Sequence, residues 1–153
     1  MGFWGVAILV VAPVTTVAAL RRPDSGVDAT IFFGDLAMLV AFALLIALAL
    51  LRRRKPTEHK RLMLLGTAAI ILPALARWPF NFMQKGPPIG IVALYLTVPT
   101  ALGLYDLVTL RRVHRATIIG AAVIFIVIGT TLTIPSTAWW RGITLKVQQR
   151  PWP

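Results

Sequence analysis

The chain has 153 residues, of which 58% are hydrophobic and 14% are charged, and its formal net charge is +11. A soluble domain carries about a quarter charged residues, so this composition excludes an ordinary soluble globular domain. The sequence contains no cysteine, which excludes disulfide bonds, thiolate metal sites and cysteine nucleophiles.

The apolar residues form blocks, and five of these blocks are long enough to cross a hydrocarbon core of roughly 30 Å as a helix. Backbone N–H and C=O groups in lipid must be paired within the chain, so such blocks are expected to be helical. The sequence therefore predicts an all-α polytopic transmembrane helical bundle, a single domain over 1–153. The predicted elements are helices over 2–20, 31–51, 57–80, 89–110 and 116–135, then an interfacial or extended C-terminal tail over 136–153.

The first block favours a retained helix over a signal peptide, because no basic residue precedes it and its apolar stretch is long for a signal sequence. Pro13, Pro73 and Pro99 fall inside predicted helices one, three and four. Prolines in membrane helices are expected to cause kinks, with neighbouring groups satisfying the carbonyls that lose a hydrogen bond.

The loops after predicted helices two and four are strongly basic. Short loops rich in Lys and Arg stay on the cytoplasmic side, so we expect a cytoplasmic N-terminus and an external C-terminus. Arg21 and Arg22 oppose this orientation, because they follow helix one and nothing basic precedes it. The basic residues of the two loops are Arg52, Arg53, Arg54, Lys55, Lys60, Arg61, Arg111, Arg112 and Arg115, and those expected on the other side are Arg21, Arg22, Lys85, Arg141, Lys146 and Arg150.

The positive charge is interpreted as contact with membrane lipids, including anionic lipids, rather than with nucleic acid. Anionic headgroups attract each nearby Lys or Arg by roughly 1 kcal/mol. The tail is expected to act as an interfacial anchor, because Trp139 and Trp140 end helix five where indole rings prefer the headgroup level. Docking of this tail on a partner subunit is the alternative.

Asp35 and Arg77 are charges inside apolar segments, which marks them as functional candidates. An antiparallel arrangement of helices two and three would place both at similar depth, so we expect an intramembrane ion pair that joins the helices. A polar site for a proton or a ligand, and separate snorkelling to the interface, are the alternatives.

Two other acids are assigned structural roles. Asp106 lies near the end of helix four and is expected to pair with Arg111 or Arg112. Glu58 is expected in the first turn of helix three, where an acid interacts favourably with the helix dipole.

His59 and His114 each follow an Arg-rich loop and begin a helix. Two imidazoles on neighbouring helices could be the axial ligands of a haem, or could bind a pigment. The stronger expectation is that no cofactor is bound, because cationic neighbours repel a metal ion. A zinc site is not predicted, since zinc needs at least three protein ligands.

The stretches "EHKRLMLLGTAAIILPALARWPF" and "YDLVTLRRVHRATIIG" resemble a group of small bacterial multi-pass membrane proteins without an assigned function. The pattern of that group has a "GD" early in one helix, then "HKRLMLLAT…R", then "D…R-V-H-P-A-T". The matching residues are Gly34 and Asp35, His59 to Thr67 with Arg77, and Asp106, Arg112, Val113, His114, Ala116 and Thr117.

The resemblance covers most of residues 31–120, and Arg115 stands where the group has proline. It implies a helical bundle in the bacterial inner membrane and no activity. Members of the group carry a further helix upstream that ends in a basic loop. On that basis we expect this chain to be a short form or to have a late-assigned start.

The sequence therefore predicts a protein that is not an enzyme. The leading expectation is a structural or accessory subunit that packs against other integral membrane subunits, as in respiratory or photosynthetic complexes. The alternatives are a haem- or pigment-binding redox protein that uses the two histidines, and a small carrier or proton path around Asp35 and Arg77.

Overall fold

A computed structural model describes residues 2–20, 29–71 and 88–149. The described chain is helical between short connections and contains no β-strand, which confirms the prediction of an all-α fold. The helices in chain order are α1 (Gly2–Leu20), α2 (Ala29–Leu51), α3 (Pro56–Ala69), α4 (Pro88–Tyr95), α5 (Thr97–Leu110), α6 (Arg115–Thr133) and α7 (Ala138–Gln149), with a 3₁₀ turn over Ile134–Ser136 between the last two.

Two stretches of the described chain are long and apolar enough to cross a membrane. They are Thr30–Leu51, which is almost all of α2, and Arg115–Ser136, which is α6 with the following 3₁₀ turn. Both match apolar blocks of the sequence. Five crossings remain a prediction.

The third predicted helix, 57–80, ends at Ala69 in the structure. Pro73 stands four residues later in the sequence and has no N–H to donate to the Ala69 carbonyl. The hydroxyl of Tyr95, which is 1% exposed, donates to that carbonyl at 3.1 Å. A side chain of another helix thus satisfies the carbonyl that a proline cannot. Residues 72–80 lie outside the described ranges.

The fourth predicted helix, 89–110, is divided into α4 and α5 at Leu96. Pro99 is the cause, because its nitrogen cannot donate to the carbonyl of Tyr95. The hydroxyl of Thr97 donates to the Leu94 carbonyl at 2.6 Å and satisfies another carbonyl at the break.

The C-terminal tail is helical where an interfacial or extended tail is predicted. Ala138–Gln149 forms α7, and the closing "PWP" lies outside the described residues. Trp140, Ile143 and Val147 recur at helical spacing and pack against a cluster that includes Leu20 and Phe32. This apolar stripe explains why the segment folds as a helix.

The chain separates into two compact units, Met1–Val40 with Ile126–Pro153, and Ala41–Phe125. In the first unit, the ring of Trp140 stacks on Phe32 with centroids 5.8 Å apart. The same ring meets Phe33 edge-on at 5.0 Å. These aromatic contacts hold α7 against α2.

In the second unit, glycines let helices approach closely. A Cβ atom placed on Gly120 of α6 would lie 3.0 Å from the Cβ of Leu65 on α3. A Cβ on Gly66 of α3 would lie 3.4 Å from the Cβ of Leu45 on α2. Small residues at such positions are how membrane helices bring their backbones together.

Replacing Gly120 with alanine should destabilise the fold. Overpacking in a filled core costs about 1–3 kcal/mol. The matched control is Gly129→Ala on the same helix, where an added Cβ meets nothing within 4 Å. There, alanine should stabilise the helix by up to about 1 kcal/mol. The measurement is the midpoint of thermal unfolding in mild detergent. Equal midpoints for the two variants would contradict the packing of α3 on α6.

Candidate functional site

The candidate site lies in the second unit, where α5 ends and α6 begins. Helix α5 ends at Leu110, and Arg111 then adopts a left-handed backbone conformation with φ of 53°. That conformation is more often filled by glycine, and it stops the helix abruptly. Asp106 lies on the last turns of α5, and α6 starts at Arg115, so the short connection folds back over Asp106.

Both carboxylate oxygens of Asp106 are fully engaged. Oδ1 accepts hydrogen bonds from Nη2 of Arg61 at 2.6 Å and from its Nε at 3.1 Å. Oδ2 accepts from the hydroxyl of Thr117 at 2.6 Å and from the backbone N–H of His114 at 3.0 Å. One side chain therefore joins α3, α5 and the start of α6. We call Asp106, Arg61, His114 and Thr117 the Asp106 cluster.

Burial makes this cluster consequential. Asp106 is 0% exposed, and the side chain of Arg61 is 13% exposed. A buried charge needs both an opposite charge and hydrogen bonds for its remaining lone pairs, and Asp106 has both. Removal of one partner of such a pair leaves an uncompensated charge and costs about 3–5 kcal/mol. The start of α6 contributes as well, because a helix N-terminus favours a nearby anion.

The partner of Asp106 differs from the prediction. The sequence places Asp106 beside Arg111 and Arg112, but its ion pair is with Arg61, 45 residues earlier. Both Arg111 and Arg112 are exposed. The reason is geometric. Arg111 and Arg112 lie beyond the end of α5 with exposed side chains, whereas α3, which carries Arg61, packs directly against α5.

His59 closes the end of another helix. Its Nδ1 lies 2.8 Å from the carbonyl oxygen of Ala49 near the end of α2. The backbone N–H of Arg53 donates to the Leu50 carbonyl, so it does not donate to the Ala49 carbonyl. A carbonyl only accepts, so Nδ1 of His59 carries the proton and donates. The imidazole thus satisfies one of the carbonyls that a helix end leaves unpaired.

His114 closes the start of α6. The backbone N–H of Ala116 donates to Nδ1 of His114 at 3.2 Å, and the N–H of Ile118 donates to the His114 carbonyl at 3.1 Å. His114 is therefore the residue that caps α6. Since Nδ1 accepts, a neutral His114 carries its proton on Nε2. In that state neither ring nitrogen offers a free lone pair to a metal.

The two histidines considered as axial ligands thus both hydrogen-bond to backbone groups at helix ends in the structure. Among the described residues, no group of three or more His, Asp or Glu is placed to hold a metal ion. The sequence signal for capping at His114 is its position directly before α6. No local signal connects His59 to Ala49, because the two residues lie on different helices.

An exposed ion pair ties α2 to α3 at the same end of the unit. Nη1 of Arg52 donates to Oε2 of Glu58 at 2.7 Å, and Nζ of Lys55 lies 3.4 Å from Oε1. Glu58 is in the first turn of α3, as predicted. Burial acts to raise the pKa of its carboxyl, but the hydrogen bond from Arg52 and the charge of Lys55 outweigh burial, and the pKa falls below its ordinary value.

The remaining basic residues of the two loops are directed outward. Unlike Arg61, all of them are exposed. They are Arg52, Arg53, Arg54, Lys55, Lys60, Arg111, Arg112 and Arg115. The structure therefore divides the predicted basic group into one partly buried arginine, Arg61, which pairs with Asp106, and an exposed set.

Four other predicted site residues have different outcomes. Asp35 lies on α2 and is partly buried, but Arg77 lies outside the described residues, and so does their predicted ion pair. Trp139 is 69% exposed, and its role as an interfacial anchor stays a prediction. Trp140, predicted as the second anchor, is only 8% exposed, because its ring packs between α7 and α2.

Comparison of the chain with protein-family models, with curated proteins and with solved structures finds no match. Residues from two separate sequence motifs nevertheless meet in one place. Arg61 belongs to "HKRLMLL", whereas Asp106, His114 and Thr117 belong to "YDLVTLRRVHRAT". The chemical role of this arrangement is to hold α3, the end of α5 and the start of α6 together through the hydrogen bonds of Asp106.

Asp106→Asn should lower stability by about 3 kcal/mol, because Arg61 then loses its counter-charge in a buried place. The matched control is Glu58→Gln, which removes the exposed ion pair and should change stability little. The free energy of unfolding in detergent would be measured for both. The double variant Arg61→Gln/Asp106→Asn should lose less than the sum of its two single variants. Additive losses would show that the two side chains do not interact.

His114→Asn should retain stability and His114→Ala should lose about 1 kcal/mol, because asparagine caps helices well and alanine does not. The pair of variants separates a cap from a cofactor ligand. If His114 binds a haem or pigment, both variants should lose the visible absorption band of the protein purified from its native membrane. Equal destabilisation by asparagine and alanine would count against the cap.

Proposed function

We propose that this chain is a multi-pass structural subunit of the bacterial inner membrane that packs against other integral membrane proteins and performs no reaction itself. The observation that carries the proposal is the state of Asp106. Its four hydrogen bonds occupy both oxygens and serve only to join helices. A carboxylate that transfers protons or binds a substrate must present an oxygen to its reactant, and this one does not.

The exposed surface supports a membrane location. Long apolar side chains cover the outside of α5 and α6, and Val108 alone is 83% exposed. Soluble proteins rarely expose contiguous apolar surface of this kind. The exposed apolar residues of these two helices are Leu104, Leu107, Val108, Leu110, Ile118, Ile119, Phe125, Ile126 and Leu132.

The hydroxyl groups support the same location. Thr15, Thr67 and Thr133 lie on exposed helix faces, yet each donates to a carbonyl of the preceding turn of its own helix, at 2.9–3.0 Å. In water such a hydroxyl gains little from this bond, but in hydrocarbon it has no other partner. These threonines can therefore face lipid without an unsatisfied group.

The proposed topology has five crossings, with the N-terminus and the exposed basic loops in the cytoplasm. The charge difference between the two predicted sides supports this orientation. The proposal of partner subunits is based on the apolar helix faces that the rest of the chain leaves uncovered. Helices in membranes associate by packing such faces together.

Cysteine labelling tests the topology directly, since the chain has no cysteine of its own. A membrane-impermeant maleimide applied to spheroplasts should label Ser25→Cys and Gln148→Cys. It should label Thr57→Cys only after the membrane is permeabilised, because that position lies beside the cytoplasmic loop. The cysteine-free parent is the blank. Labelling of Thr57→Cys in intact spheroplasts, with Gln148→Cys protected, would reverse the orientation.

The subunit role is tested by extraction from the native membrane in a mild detergent. We expect the tagged chain to migrate in a complex larger than the purified chain alone, with other integral membrane proteins at fixed stoichiometry. A photo-crosslinking residue at Val108 should join the chain to one of them, whereas the same residue at the buried Leu45 should not. A monomer whose size is independent of concentration would overturn the role.

A further inference from the structure

We propose that the exposed basic end of the second unit is a binding surface for acidic phospholipids, that is, for headgroups whose phosphate is not neutralised by an amine. The inference depends on the proposed membrane location and adds a ligand class to it. We call the surface the basic rim, and its residues are Arg52, Arg53, Arg54, Lys55, Lys60, Arg111, Arg112 and Arg115.

The charge of this end is not balanced within the unit. Residues 52–61 and 106–115 together carry nine basic residues, the rim plus Arg61, against two acids, Glu58 and Asp106. Nine minus two leaves an excess of seven positive charges. Both acids are already paired, Asp106 with Arg61 inside and Glu58 with Arg52 and Lys55 at the surface. Anions for the rest must come from outside the unit.

The surroundings of the charges select the kind of anion. Exposed apolar side chains lead directly into exposed arginines at two helix ends: Leu51 of α2, 78% exposed, precedes Arg52, and Leu110 of α5 precedes Arg111. At α6 the order is reversed, and Arg115 is followed by the exposed Ile118. At all three helix ends, exposed apolar side chains and exposed arginines thus lie within a few residues of each other.

Only the boundary between lipid acyl chains and phosphates suits both the apolar residues and the adjacent arginines at these three helix ends. An acidic soluble protein or an RNA would neutralise the arginines but leave the adjacent Leu51 and Leu110 in water. A phospholipid supplies acyl chains for the apolar residues and a phosphate for the guanidinium. Arginine suits this role better than lysine, since its planar donors bind phosphate through two hydrogen bonds.

The structure also holds the rim in place. The Asp106 cluster fixes the start of α6 against α5 and α3, and the bond from His59 to Ala49 together with the ion pair of Arg52 and Glu58 fixes α2 against α3. The two loops therefore need little ordering when they bind, which favours retention of a lipid over a diffuse electrostatic attraction.

The test uses the full chain reconstituted in nanodiscs of phosphatidylcholine with a minor fraction of phosphatidylglycerol. After extraction in mild detergent, the retained lipids are quantified by mass spectrometry. We expect phosphatidylglycerol to be enriched over its bulk fraction by about fivefold or more, the factor that roughly 1 kcal/mol gives. The variant Arg53→Gln/Arg54→Gln/Arg111→Gln/Arg112→Gln should lose the enrichment.

The matched control is Arg141→Gln/Lys146→Gln, which removes two exposed charges of α7 and should keep the enrichment. Both leaflets of a nanodisc have the same composition, so a change of orientation does not affect the result. Retained lipid at the bulk ratio would overturn the inference, as would enrichment that survives the four substitutions. Failure of the wild-type chain to enter nanodiscs at all would overturn the proposed membrane location, which is a distinct outcome.

Discussion

The ionised carboxylate of Asp106 is the constraint on which the second unit depends. A charge with no exposed surface is tolerated only when donors surround it, and here those donors come from two other parts of the chain. Arg61 supplies the counter-charge from α3, and the connection before α6 supplies the backbone N–H of His114. Loss of either contact would leave the buried carboxylate of Asp106 without one of the donors that compensate its charge. The four hydrogen bonds therefore set the ends of α3, α5 and α6 together, and the position of the basic loops follows from that.

Unpaired backbone groups at helix ends are the second constraint, and this chain satisfies several of them with side chains from elsewhere. Tyr95 donates to the carbonyl of Ala69, for which Pro73 has no N–H, and His59 donates to that of Ala49. Where water is excluded, as around the buried hydroxyl of Tyr95, an unpaired carbonyl would cost several kcal/mol. The same requirement explains why residues suited to catalysis or metal binding can have purely structural positions in an apolar chain.

Sequence reasoning predicts the helices well where apolar runs are uninterrupted, as in α1, α2 and α6, because length and hydropathy alone determine them. It also identifies Asp106 as important but does not identify its partner. Arg61, Arg111 and Arg112 have the same side chain, and only the packing of α3 on α5 determines which of them pairs with Asp106. The helix over Ala138–Gln149 could have been predicted from the spacing of its apolar residues. The bond from Tyr95 could not, since 26 residues separate it from Ala69.

The division of charge within the second unit connects its stability to its surroundings. Asp106 pairs with Arg61, and Glu58 pairs with Arg52 and Lys55, so neither acid is left to neutralise the exposed basic surface of the two loops. Because helix caps and the buried ion pair hold that surface rigid, its charges do not need to be gathered when an anion binds. Rigidity at this end would also serve the proposed scaffold role, since a partner that packs on exposed apolar faces requires helices whose ends do not separate. The interactions that stabilise this end of the second unit are thus the same ones on which the proposed role in a membrane complex depends.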